Sequence, residues 1–208
     1  DMAKECETIL QDNIVGGVVI SNSSGTLKHA THYTSTHPLV SEKSIEAANF
    51  LREGLQKLKE SDLFIFLLSG GASAMIEKPI EGLTLDDFTK ISESLLTSGI
   101  DIKALNTVRK SISQIKGGKL AENIKAKGEV LVLSDVIGDD LNTIGSAPMN
   151  NRKFFHHIIG NNGIALDAAK NHIQSKVDFT KVITTTLEMS SENATTFISN
   201  EIKKHDKE

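Results

Sequence analysis

Short apolar runs recur along the chain, and small or polar residues follow each of them. β-Branched and other apolar side chains fill consecutive positions in these runs, which is typical of buried strands in a parallel sheet. The predicted strands cover residues 14–21, 62–69, 129–134 and 181–186. The run at 62–69 is apolar at both odd and even positions, which predicts a central strand.

Longer segments between these runs carry apolar residues at helical spacing, with charged residues on the other face. Ser41 and Thr84 precede two of them and are suitable N-caps. Helices are predicted over residues 41–59, 85–97, 163–174 and 191–204, and in part over 105–124. The alternation of strands and helices predicts an α/β fold: a mostly parallel sheet with helices on both faces, in a Rossmann-like three-layer sandwich.

Charge and cysteine content narrow the classes of function. The chain has 23 Lys and Arg against 27 Asp and Glu, a formal net charge of -4, so we expect no nucleic-acid partner. Cys6 is the single cysteine and no secretory signal is evident, which predicts a cytoplasmic protein. No apolar run is long enough to cross a bilayer, so we expect no membrane partner.

The first candidate site follows the predicted strand 62–69. In open parallel sheets ligands bind beyond the carboxyl ends of the strands, and small residues there leave backbone N–H groups accessible to an anion. The candidate binding residues are Ser69, Gly70, Gly71, Ala72 and Ser73. An ordinary tight turn is the alternative. The segment is not a P-loop, because no GK[ST] sequence follows it at the required spacing.

The second candidate site follows the predicted strand 129–134, where Asp135, Asp139 and Asp140 lie close together in the sequence. A magnesium ion held by one or two carboxylates and by substrate phosphates would offset their repulsion. We therefore take Asp135 and Asp139 as candidate metal ligands. Capping of the following turn is the favoured alternative for Asp139 and Asp140.

A basic segment lies between these two sites and includes Asn106, Arg109 and Lys116, with Gly117 and Gly118 after the lysine. An arginine can hold a carboxylate or phosphate with two parallel hydrogen bonds, whereas a lysine acts as a mobile point charge. The segment therefore suits a small anionic substrate. A solvated basic helix face is the alternative.

Several of these motifs resemble, in the same order, those of the glycerate 2-kinase family, whose members were often labelled hydroxypyruvate reductases. His37-Pro38 with Ser41-Glu42 resembles the family's HPxPDE turn. Residues 68–74 are similar to its LxSGGGSAL loop, residues 106–121 to its NxVRKHLSxxKGGxLA segment, and residues 134–140 to its SDVxGDD segment. The resemblance is close over residues 16–148 and continues more weakly to Ala169. We expect His37 to have mainly a structural role, and only secondarily to line the site.

The resemblance implies transfer of the ATP γ-phosphoryl group to the 2-hydroxyl of D-glycerate, with Mg²⁺ required. Within that reaction, loop chemistry and charge suggest that residues 69–73, Asn106 and Arg109 hold the anionic substrate or phosphates. Lys116 is expected to neutralise developing charge, and Asp135 to orient the metal or the attacking hydroxyl.

The resemblance also implies parts that this sequence does not contain. Family members are longer, with a lysine-bearing loop that would precede Asp1 and a second, C-terminal (MOFRL) lobe. We therefore expect residues 1–208 to form one α/β domain, the incomplete N-terminal lobe of a two-lobe kinase, with a segment missing near residues 149–152. Ala147 and Met149 stand where the family pattern has glycine and threonine.

Two other functions are considered. An NAD(P)H-dependent hydroxypyruvate reductase would suit the older family label, but residues 69–74 lack the GxGxxG spacing of a dinucleotide site. A non-catalytic binding domain that kept the loop is the other alternative. The sequence also allows the protein to form a homodimer.

Overall fold

The computed structural model describes residues 1–100 and 102–205 of the chain. Parallel strands alternate with helices along most of this length, which confirms the predicted α/β class. The described residues form five strands: β1 Gly17–Ser21, β2 Ala30–Thr34, β3 Leu63–Leu68, β4 Lys127–Leu133 and β5 Phe155–Gly160. Seven α-helices lie in the same part of the chain: α1 Met2–Leu10, α2 Glu42–Gln56, α3 Ala72–Met75, α4 Leu85–Thr97, α5 Ile102–Ser111, α6 Asn162–Ile173 and α7 Ser191–His205.

The described strands form two parallel sheets. β1 pairs with β2, and the other three strands form a sheet in the order β3-β4-β5. Leu68 of β3 lies opposite Val132 of β4, so the carboxyl ends of these two strands are level. The prediction that residues 62–69 form a central strand is wrong for this sheet, because β4 lies in the middle and β3 at an edge. Strands β2 and β5 were not predicted.

Local capping explains why two helices begin where the sequence predicted. The backbone N–H of Ser41 donates to the Ser44 hydroxyl at 3.1 Å at the start of α2. At the start of α4, the Thr84 hydroxyl accepts from the Asp87 N–H and the Asp87 carboxylate accepts from the Thr84 N–H, both at 3.1 Å. These reciprocal bonds satisfy N–H groups that every helix start leaves unpaired.

The predicted strand at residues 181–186 is wrong. These residues are all described, and none of them belongs to a strand. A strand needs a neighbour with which it shares backbone hydrogen bonds, and no described strand pairs with this segment. The β-branched composition of this segment therefore did not determine its structure.

The core lies against one face of the β3-β4-β5 sheet. Leu68, Val130 and Val132 point into it and pack with the buried side of α2, including Ala47 and Ala48. Side chains on the other face of the sheet stay exposed; they include Leu63 at 74%, Ile65 at 41%, Phe155 at 75% and Ile159 at 48%. None of the helices formed by the described residues is long and apolar enough to span a membrane.

Candidate functional site

The loop after β3 turns sharply at Gly71, whose φ of +86° is a conformation that favours glycine. A β-carbon on this residue would also lie 3.1 Å from Cδ2 of the His37 ring and 3.0 Å from the Met75 methyl group. Within the described part of the chain, the backbone N–H groups of Gly70, Gly71 and Ala72 donate no hydrogen bond. The loop therefore presents free donors, as an anion-binding turn requires.

Asp135 lies directly against this loop. A β-carbon on Gly70 would be 2.9 Å from Cγ of Asp135, closer than van der Waals contact allows. The two residues meet because each follows one of two adjacent parallel strands, β3 and β4. Asp135 is exposed, so its carboxylate can reach a ligand at the loop. The structure thus brings the first and second predicted sites together.

Arg109 of α5 reaches the same loop from a different direction. Its Nη2 lies 3.4 Å from the Ser73 hydroxyl, while its Nε is buried and has no hydrogen-bond partner among the described residues. A buried guanidinium nitrogen without a partner is costly. An anion beside the loop would be bound through Nη2, the atom that lies near the Ser73 hydroxyl. Asn106 is on the same helix one turn earlier, and residues three apart share a helix face.

Ser146 also lies at the candidate site, although it was not among the residues predicted from the sequence. Its hydroxyl lies 2.8 Å from the Ser73 hydroxyl. Gly145, Ser146 and Ala147 all have positive φ, between 56° and 62°, which is strained for the serine and the alanine. The Ala147 position therefore favours the glycine that the family pattern has there. No local pattern in the sequence marks Ser146, because this left-handed segment is held by contacts with residues distant in sequence.

The glycine pair after Lys116 holds that strained segment in place. The N–H groups of Gly117 and Gly118 donate to the carbonyls of Ser146 and Ala147 at 3.0 and 2.7 Å. Gly118 has a φ of +87°, and a β-carbon there would overlap the carbonyl oxygen of Asn150. This close backbone approach explains why two adjacent glycines occur in the basic segment.

Lys116 has different surroundings from those expected. Its side chain is 1% exposed, and its Nζ lies 2.7 Å from the Glu77 carboxylate and 2.7 Å from the carbonyl oxygen of Ser73. Burial lowers the pKa of Lys116 below the usual lysine range, Glu77 opposes this shift, and Arg109 adds to it. The ammonium group has no solvent-facing side, which argues against direct contact with a ligand and favours a role in supporting the loop.

Asp139 and Asp140 make structural contacts with other residues of the chain. The Asp139 carboxylate accepts a hydrogen bond from the Asn161 side chain at 2.5 Å, and Asn161 is the N-cap of α6. Asp140 accepts from the backbone N–H of Asn142 and from the Thr143 hydroxyl, and these bonds lower the pKa of Asp140. Within residues 1–100 and 102–205, no three His, Cys, Asp or Glu side chains gather as a metal site. A magnesium ion here would rely on Asp135 and on ligand oxygens.

These features define a class of protein: a parallel α/β domain in which a glycine-containing loop, an arginine and a carboxylate meet at the carboxyl ends of two paired strands. The family model described as a domain of unknown function, DUF4147, matches residues 1–173. The chain belongs to this family, which forms the N-terminal domain of glycerate kinases.

Relatives and solved structures agree with this assignment. A D-glycerate 2-kinase of Thermotoga maritima is 42% identical over 151 residues, 71% of this chain and 36% of that protein. A glycerate 2-kinase of Pyrococcus horikoshii is 42% identical over 150 residues, 71% of this chain and 34% of that protein. The crystal structure of a Thermotoga maritima glycerate kinase superposes with a TM-score of 0.88 at 33% identity, covering 97% of this chain and 58% of that one. The chain thus spans about a third of the length of the curated relatives it matches.

Proposed function

We propose that this chain is the loop-bearing domain of an ATP-dependent glycerate 2-kinase, which phosphorylates the 2-hydroxyl of D-glycerate and releases ADP. The observation that carries the proposal is the meeting of Arg109, Ser73 and Asp135 around the loop's free N–H groups. This set suits a small substrate with an anionic group and a reacting oxygen. The names of the relatives, glycerate 2-kinases at 42% identity, support the same activity.

Each site residue has a proposed role that follows from its position. Arg109, Asn106 and residues 69–73 would hold the glycerate carboxylate or a nucleotide phosphate. Asp135 would accept the proton of the attacking hydroxyl or hold Mg²⁺. Its single exposed carboxylate suits that ion, which keeps several waters and takes few protein ligands. When bound, magnesium would neutralise phosphate charge. Asp139 is the weaker candidate ligand, because Asn161 already engages its carboxylate.

The location and partners of the protein are also proposals. A nucleotide and D-glycerate would be its small-molecule partners. We propose that it is cytoplasmic, since a nucleotide-dependent enzyme with the single cysteine Cys6 suits a reducing compartment.

The deciding experiment uses the longest natural gene product that contains this chain. ADP release is measured with Mg-ATP and D-glycerate, and NADH oxidation is measured in parallel with hydroxypyruvate. We expect glycerate-dependent ADP release that stops when a chelator removes the metal. NADH oxidation without ADP release would favour the reductase, and neither activity would favour a non-catalytic binding domain.

Two variants test the proposed roles. Arg109→Ala and Asp135→Asn should each lower kcat/KM for D-glycerate by about 100-fold or more, because each removes a charge that contacts the reacting groups. The matched controls are the exposed residues Arg152 and Asp167, and the Arg152→Ala and Asp167→Asn variants should turn over at the parent rate. Parent-like turnover by both site variants would refute the roles.

A further inference from the structure

Glu77 and Lys116 form a buried ion pair under the candidate site. Their side chains are 0% and 1% exposed, and the carboxylate and ammonium are 2.7 Å apart. Removing two charges from water is costly, so such a pair persists only when further hydrogen bonds satisfy it. Glu77 Oε1 accepts from the Ser113 hydroxyl at 2.5 Å and from the Lys78 N–H at 2.9 Å, and Lys116 donates to the Ser73 carbonyl. Among the described residues, the partner of Glu77 Oε2 is the Lys116 ammonium group of the ion pair.

These bonds join the two halves of the anion site. Ser73 lies in α3, the one-turn helix that follows the loop after β3, and Ser113 follows the end of α5, the helix that carries Arg109. The Ser113 hydroxyl also accepts from the N–H of Lys116 at 3.3 Å, which closes a compact turn after α5. The ion pair therefore connects the backbone at Ser73 to the end of α5.

The network also determines which charge faces the ligand. Glu77 lies against Lys116 and offsets its positive charge inside the core. Arg109 contacts the loop through the Ser73 hydroxyl, and its Nε has no partner among the described residues. Of these two cations, Arg109 is therefore the one that can bind an anion. The positive charge of Lys116 is already offset by Glu77 inside the core.

We infer that Glu77 and Lys116 are positioning residues: the buried pair holds the Ser73 turn against Arg109, so that the anion binds to a preformed site. This inference rests on the proposed function for the identity of the anion, D-glycerate or a nucleotide phosphate. Preformed geometry matters because ordering a loop during binding would weaken affinity. Glu77 was not among the predicted site residues, and Lys116 acquires a role that acts through the loop.

The test variant is the double substitution Glu77→Gln, Lys116→Met. It removes both charges and roughly keeps their volumes, whereas either single change would leave a buried charge without its counter-ion and risk failure to fold. The net charge of the protein stays the same. A change in binding then reports the geometry of the site and not its long-range electrostatic field. The matched control is the exposed pair Asp86–Lys90, changed to Asn and Met.

The measurements are KM and kcat for D-glycerate and for ATP, with direct calorimetric binding of each to the same full-length protein. The relevant substrate is the one whose affinity falls in Arg109→Ala. For that substrate we expect the double variant to raise KM and Kd by about tenfold and to change kcat by less than about threefold. The control pair should leave all constants at parent values. A merely structural role would lower the amount of folded enzyme but leave KM and Kd unchanged.

The outcomes separate this inference from the proposed function. If the parent phosphorylates glycerate and the folded double variant keeps parent KM and Kd, the positioning role is overturned and the kinase stands. If the parent binds ATP or D-glycerate without turnover and the double variant binds it about tenfold more weakly, the positioning role stands and the kinase falls. If the parent binds neither, both are overturned.

Discussion

Gly70 shows how a single missing side chain shapes the site. Its φ is not in the left-handed region, so its backbone would accept other residues. The constraint is space, because the Asp135 carboxylate occupies the position that a β-carbon would take. Asp135 is exposed, and its carboxylate could swing aside at little cost in stability. The glycine therefore matters for where the carboxylate lies more than for folding.

Gly70→Ala should displace Asp135 and lower kcat by about 100-fold, since a shift of about 1 Å in a catalytic group has that effect. Its free energy of unfolding should change by no more than about 0.5 kcal/mol. Steady-state kinetics and urea unfolding of the full-length protein measure both. Gly25→Ala is the control, because nothing lies within 4 Å of a β-carbon there. Parent-like kcat in Gly70→Ala would contradict this placement of Asp135.

At the scale of elements, local sequence predicted helices better than strands. The predicted helix at residues 85–97 has the bounds of α4, because Thr84 and Asp87 determine its start by contacts within one turn. Strand β5 was missed because His156 and His157 interrupt its apolar pattern. The register with β4 places these histidines on opposite faces, with His156 towards the core and His157 beside Glu129.

His156 gives β5 a predictable response to pH. Burial lowers the pKa of His156 below the usual histidine value of 6.5, a hydrogen bond with the Phe154 carbonyl opposes this, and His157 adds to it. The unfolded chain therefore binds a proton more readily than the folded one, so stability is highest above pH 6.5 and falls as the pH decreases towards the folded pKa.

We expect the parent to lose stability between pH 7 and about pH 5, and His156→Gln to lose less over the same window. Urea unfolding at half-unit pH steps measures the two slopes, with values at pH 8 as the common baseline. Equal slopes in the parent and the variant would contradict the half-buried placement of His156.

At the scale of the whole molecule, one continuous core joins the sheet, α2 and the loops around the site. Met149 is fully buried in this core, at the position where the family pattern has threonine. Its side chain thus ties the left-handed segment at residues 145–147 to the core. The exposed apolar face of the β3-β4-β5 sheet contrasts with this well-packed side.

Met149→Ala should lower the free energy of unfolding by about 2–5 kcal/mol, because it leaves a cavity in a packed region. Met189 is 45% exposed, so Met189→Ala should cost about 0.5 kcal/mol or less. Urea unfolding of the parent and both variants measures the difference. Similar small effects for both variants would mean that residues 149–151 do not pack as described.

The sequence by itself determined the α/β class, four of the helices, three strands and the small-residue loop, because these depend on periodicity, capping and turn chemistry within a few residues. It also predicted an anionic ligand at Arg109, and a magnesium ion or the attacking hydroxyl at Asp135. Only the tertiary structure decided that Lys116 is buried against Glu77, and that Ser146 meets Ser73. These contacts join segments far apart in the chain, and their burial depends on packing that no local pattern records.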